Sequence, residues 1–147
     1  MISAHVLSAP TLLIGWLLYV PAVLYAIWRA PWVELFADTR RQHVLFGTVF
    51  ALFLLWLVRR DFETGVSYHV IGLTVVTLLL DWPLAIVGAL LAQIGVVLLG
   101  RQDLSAMGVN GVVLIVLPVV VTRCCAHMVE RAQSRNPFVY IFCSGFF

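Results

Sequence analysis

Long apolar runs with almost no charge inside them constrain this chain more than any other feature. The runs are Thr11 to Trp28, Val44 to Val58, Val70 to Leu80, Leu84 to Leu99, Met107 to Thr122 and Phe138 to Phe147. The composition follows from them: 63% of residues are apolar, 11% are charged, and the mean hydropathy is +1.05. A soluble domain carries about a quarter charged residues and about half apolar ones. No soluble globular surface can be assembled from this set. Disorder is excluded too, because disordered chains are polar and rich in charge. The reading is an all-α, polytopic membrane helix bundle of about five to six transmembrane helices. Residues 1–147 form a single transmembrane domain, too short for two. The last run holds only ten residues, fewer than the ~20 that a span requires, and reads as truncated at the C-terminus.

The breaks between runs carry information of their own. Pro21 interrupts the first run, which membrane helices tolerate when neighbours satisfy the freed carbonyl. Residues Arg29 to His43 are mixed in character and read as a loop with a short interfacial helix, Trp32 and Phe36 facing lipid. Asp81-Trp82-Pro83 reads as a tight turn between two full crossings. Proline disfavours helix at Trp82 and then opens the next helix at its first turn, with Asp81 as its cap. Within the fourth run, Ala85, Gly88, Ala92 and Gly95 recur at helical spacing, a small-residue stripe for close helix packing. Gln93 beside it, and Asn110 in the fifth run, are polar amides that seek partners on other helices.

Arginine placement sets the orientation. Alternating sides puts six arginines on one face (Arg29, Arg40, Arg41, Arg123, Arg131, Arg135) and three on the other (Arg59, Arg60, Arg101). The richer face is expected in the cytoplasm and the N-terminus outside, in a bacterial inner membrane. The net charge of +2 argues against nucleic acid as a partner.

This topology gathers His5 and His69 on the outer face and His43 and His127 on the inner one. With the α-amine of Met1, His5 and His69 offer nitrogen ligands, which suit Ni(II), Co(II) and Cu(II) more than Mg or Ca. The expected metal-ligating set is therefore Met1, His5 and His69. Cys124-Cys125-Ala126-His127 has soft donors, but adjacent cysteines seldom ligate one ion well, and it reads as a reduced helix end. Three cysteines without a spaced framework give no structural disulfide. No phosphate loop, nucleotide fingerprint or Ser-His-Asp set is readable, so no catalytic residue and no cofactor is assigned.

From the third run onward the residues resemble those of a known family. The stretch carrying the likeness begins Ser67-Tyr68-His69, Gly72-Leu73, Asp81-Trp82-Pro83-Leu84-Ala85 and Gly88-Ala89-Leu90. It continues through Gln93, Leu98-Leu99, Leu104-Ser105-Ala106-Met107-Gly108-Val109-Asn110 and Pro118. In order and approximate spacing this resembles the CbiM/NikM family, membrane components of energy-coupling-factor (ECF) transporters for cobalt and nickel. The resemblance covers about half the chain. It implies a metal held by the N-terminal amine, a histidine directly after Met1, and a loop histidine. His69 matches the loop histidine and Met1 the amine. Position 2 is Ile2, and His5 stands three residues further on.

The resemblance implies a membrane-embedded substrate-binding component of an ECF-type transporter, carrying Ni2+ or Co2+. An ECF coupling transmembrane protein and ATPase subunits would be its partners, and it would be no enzyme itself. The cytoplasmic stretches Trp32 to Arg41 and Arg123 to Arg135 are the expected docking contacts. The alternative reading is a non-transporting membrane scaffold or assembly protein.

Overall fold

A computed structural model describes residues 7–58, 60–61, 67–68 and 72–131. Helix α1 (Ala9–Arg29) begins after Ser8, with Pro10 in its first turn, where a missing N–H costs nothing. It holds Pro21 in its interior without ending. Helix α2 (Trp32–Ala37) follows the Ala30-Pro31 break, and α3 (Thr39–Leu57) follows at once, capped by Asp38, whose carboxylate accepts from the Arg40 backbone N–H at 2.8 Å. Two-residue strands β1 (Arg60–Asp61) and β2 (Ser67–Tyr68) pair antiparallel, Arg60 opposite Tyr68. Then come α4 (Leu73–Leu98), α5 (Met107–Gly111), a π-helical segment (Val112–Val116) and α6 (Leu117–Arg131). From Met107 to Met128 these last pieces form one continuous apolar helix of 22 residues.

Helix α4 is not straight. Asp81 sits at φ 66°, ψ 158°, a region that glycine alone occupies readily. Neighbours on α3 show what this does. Gly72 lies against Leu52 and Leu55, and Leu79 and Leu80 share a cavity wall with Val44. Gly88 lies against Leu45 and Val49, and Gly95 against Phe53. The first arm of α4 therefore descends α3 and the second ascends it. The break is a hairpin reversal, at the turn that Pro83 imposes. Asp81 does not act as a hydrogen-bonding cap, because its carboxylate has no partner among the described residues. Trp82 stacks on Tyr25 of α1 instead, ring centroids 5.6 Å apart.

The number of crossings departs from the expected five to six. By length and composition alone, three helical stretches among the described residues suffice to cross a membrane: Ala9–Arg29, Leu73–Leu98, whose 26 residues count both arms of the hairpin, and Met107–Met128. The second apolar run is part of α3, which begins five residues earlier, in the polar stretch Thr39 to His43, and so dilutes its apolar character. The third run was expected to cross fully, yet its helical arm Leu73–Leu80 rises only ~12 Å against a hydrocarbon core of ~30 Å. The sixth run lies outside the described residues. The polar stretch from Arg123 is also more ordered than hydropathy implied, since α6 continues through it to Arg131.

Burial ranks the helices. In the most apolar window of α1, 17% of residues are buried; in that of α4, 61% are. Helix α4 is thus the centre of the bundle, and α1 is exposed over most of its surface. The interfacial helix α2 exposes Val33 and Phe36, as an amphipathic surface helix does. Trp32, expected to face lipid, is half-buried and turned inward, its indole N–H donating to the Ile27 carbonyl at 2.7 Å. That hydrogen bond closes the end of α1, where carbonyls lack intrahelical partners.

Candidate functional site

The expected ligands Met1, His5 and His69 lie outside the described residues. What the structure describes is the end of the bundle from which those segments extend. The start of α1, the end of α3 at Val58, the start of α4 at Gly72 and the loop Leu99–Ala106 all meet there. Trp16 donates its indole N–H to the Ser105 carbonyl at 3.2 Å, tying α1 to this loop across 89 residues of sequence. Gly72 opens α4 at φ 68°, with Leu55 so near that a Cβ would stand 3.1 Å from its Cδ2. Only glycine serves both needs.

Below this end, one buried polar network joins three elements. The Tyr19 hydroxyl of α1 donates to Gln93 Oε1 at 2.7 Å, and Gln93 Nε2 donates to the Met107 carbonyl at 3.1 Å. Gln93 was expected to find an interhelical partner, and it finds two. Tyr19 was missed by the sequence reading, because a tyrosine in an apolar run reads as one more large side chain. The usable signal was that Gln93 in lipid needs a donor, and α1 offers few. Asn110 is fully buried in the same region, where its own backbone N–H bonds the Ala106 carbonyl.

Glycines let the helices around this network touch. A Cβ on Gly108 would lie 2.7 Å from the Trp16 backbone nitrogen, and one on Gly111 would collide with the Tyr19 ring. The small-residue stripe of α4 is likewise buried: Ala85 and Ala92 are sealed from solvent, and Gly88 and Gly95 face α3. In the loop above, Gln102 is 8% exposed, and neither of its amide atoms has a hydrogen-bond partner.

Among the described residues, no group of three or more His, Cys, Asp or Glu side chains is placed to hold a metal. Cys124 and Cys125 are free thiols toward the end of α6. His43 and His127 are exposed near the opposite end of the bundle from the Leu99–Ala106 loop.

Residues 2–147 match the protein-family model described as CbiM, cobalt uptake substrate-specific transmembrane region. No curated protein matches the chain. Among solved structures, the fold is similar to the crystal structure of a truncated transition-metal transporter, with a TM-score of 0.70 at 19% identity. That likeness covers 91% of this chain and 62% of the other, so this chain spans less than two thirds of its structural neighbour.

Proposed function

The chain belongs to the CbiM family, and we propose that it is the membrane-embedded substrate-binding component of an ECF-type transporter for a transition-metal ion of the cobalt or nickel class. The observation that carries this reading is the family match along residues 2–147. The chain performs no ATP hydrolysis of its own. An ECF coupling transmembrane protein and ATPase subunits supply the energy, docking on the arginine-rich face, which is cytoplasmic. The N-terminus is extracytoplasmic.

The ion is held by the Met1 amine, His5 and His69. Support comes from the chain path: the segments carrying these residues join the described helices at Leu7, Val58 and Gly72, all at one end. Nitrogen donors favour late divalent metals, and each must be deprotonated to bind. A metal-bound state therefore competes with protonation, and affinity falls as pH drops through the ordinary imidazole range near ~6.5.

Calorimetry with Ni(II) and Co(II) on the full chain tests the assignment. His69→Ala and His5→Ala should each weaken binding by more than about tenfold, since second-shell losses alone reach 10–100-fold. Equal affinity of His69→Ala and wild type would remove His69 from the site. The partner assignment is tested separately, by co-expression with neighbouring genes. A tagged chain that purifies alone from its native membrane, and moves metal without ATP, would leave the ECF reading untenable.

A further inference from the structure

Two cavities meet along α3, and their chemistry differs. The first, about 280 Å³, lies between the start of α3 and the Asp81 reversal. Its charged lining is balanced: Arg40 and Arg41 against Asp38 and Asp81. Arg41 is already engaged by Glu34 at 2.6 Å, and Asp38 by the start of α3. The Arg40 guanidinium and the Asp81 carboxylate have no hydrogen-bond or ion-pair partner among the described residues. The second cavity, about 490 Å³, shares Val44 and Leu79 with the first and runs between α3 and the first arm of α4. Gly47, Ala51, Leu55 and Val75 line it. Its one side-chain hydroxyl, on Thr48, donates to the Val44 carbonyl at 2.6 Å, so the groove is predominantly apolar. A Cβ on Gly47 would meet nothing within 4 Å, which leaves the groove open there.

From Val44 to Leu55 helix α3 rises ~16 Å, about half of a ~30 Å hydrocarbon core. The groove thus has the depth of one leaflet, and the charged notch sits where that leaflet's headgroups begin. The notch is slightly smaller than the ~300 Å³ at which drug-sized pockets start, a size suited to a headgroup alone. A purely anionic group there would face Asp38 and Asp81, and a purely cationic one would face both arginines. A zwitterion carrying a phosphate and a primary ammonium satisfies both halves. Guanidinium forks match phosphate oxygens in geometry, and an ammonium brings three N–H donors to a carboxylate.

We propose that the notch and groove together hold one phospholipid with an ethanolamine headgroup, its phosphate on Arg40, its ammonium on Asp81, and an acyl chain along the groove between α3 and the first arm of α4. The lipid covers the short arm where no protein does. It is independent of the metal site, at the opposite end of the bundle.

Native mass spectrometry of the full chain, delipidated and titrated with three lipids of matched acyl chains, tests this. Phosphatidylethanolamine carries the ammonium, phosphatidylcholine replaces its N–H groups with methyls, and phosphatidylglycerol lacks it. The ethanolamine lipid should be retained about tenfold over the other two, the scale of one charge-assisted hydrogen bond. Asp81→Asn should erase that preference, leaving the ethanolamine lipid at the level of the glycerol one. Gly47→Phe should lower all three while circular dichroism stays unchanged. If Asp81→Asn does not insert, Arg40→Gln serves: it should weaken every phosphate-bearing lipid together. Equal retention of the three lipids by wild type, or a preference that survives Asp81→Asn, overturns the proposal, as does lipid binding indifferent to Arg40→Gln.

Discussion

Helix α1 meets α5 in a different manner from that in which α3 meets the first arm of α4. The first contact is made backbone to backbone. Gly15 and Gly108 bring the two backbones so close that a single methyl would strike main-chain atoms. Trp16 bonds the Ser105 carbonyl just before α5, and Tyr19 reaches the Met107 carbonyl of α5 through Gln93 of α4. The second contact is made through branched side chains, with a groove of about 490 Å³ beside it. Lipid tails are as apolar as leucine, so apolar area alone does not hold membrane helices together. Close packing and polar links do. The α1–α5 seam has both, and the α3–arm seam has neither in full.

Substitutions should expose this contrast in graded steps, read by unfolding in mixed micelles. Gly108→Ala should cost most, about 3 kcal/mol or more, because its Cβ meets the Trp16 main chain, which cannot turn aside. A variant as stable as wild type would mean that the seam is looser than described. Next is Gln93→Leu, which orphans the buried Tyr19 hydroxyl, at a cost of about 1–3 kcal/mol. Adding Tyr19→Phe to it should restore part of the loss, and strict additivity of the two would argue against their bond. The smallest effects belong to α3 and its neighbours. Gly95→Ala needs only a shift of the Phe53 ring, 2.9 Å from the new Cβ, and should lose no more than about 1 kcal/mol. Gly47→Ala should be neutral or gain up to ~1 kcal/mol from helix propensity, since the methyl enters open space. If Gly47→Ala were as harmful as Gly108→Ala, the contrast would collapse.

Much of this architecture was legible because charge deserts are hard to misread in a chain that must satisfy its backbone without water. The reversal at Asp81-Trp82-Pro83 was legible for a local reason, the steric limit that proline sets on the residue before it. The lengths were not. Hydropathy finds where the chain is greasy, but helices follow hydrogen bonds. Asp38 caps α3 within a polar stretch, and so the helix starts well before the grease does. Trp32 turned inward for a similar reason: it answers a carbonyl at the end of α1 that no hydropathy scale counts. Of the functional region, Gln93 was readable as a residue in need of a partner, whereas which partner it takes is a matter of tertiary geometry. The ligand set Met1, His5 and His69 rests on which segments topology brings to one face and on family resemblance, neither of which fixes distances.

The link between Tyr19 and Gln93 has a consequence in time as well as in space. The two residues are 74 positions apart in sequence. At a synthesis rate of ~5–20 residues per second, Gln93 follows Tyr19 out of the ribosome by roughly 4–15 s. During that interval α1 is a lone, mostly apolar helix whose one deep hydroxyl has only its own backbone or stray water to bond. Helices α3 and α4 are near neighbours in sequence and can pair as they are made, while α1, translated first, waits for α4 and α5 before its own contacts can form.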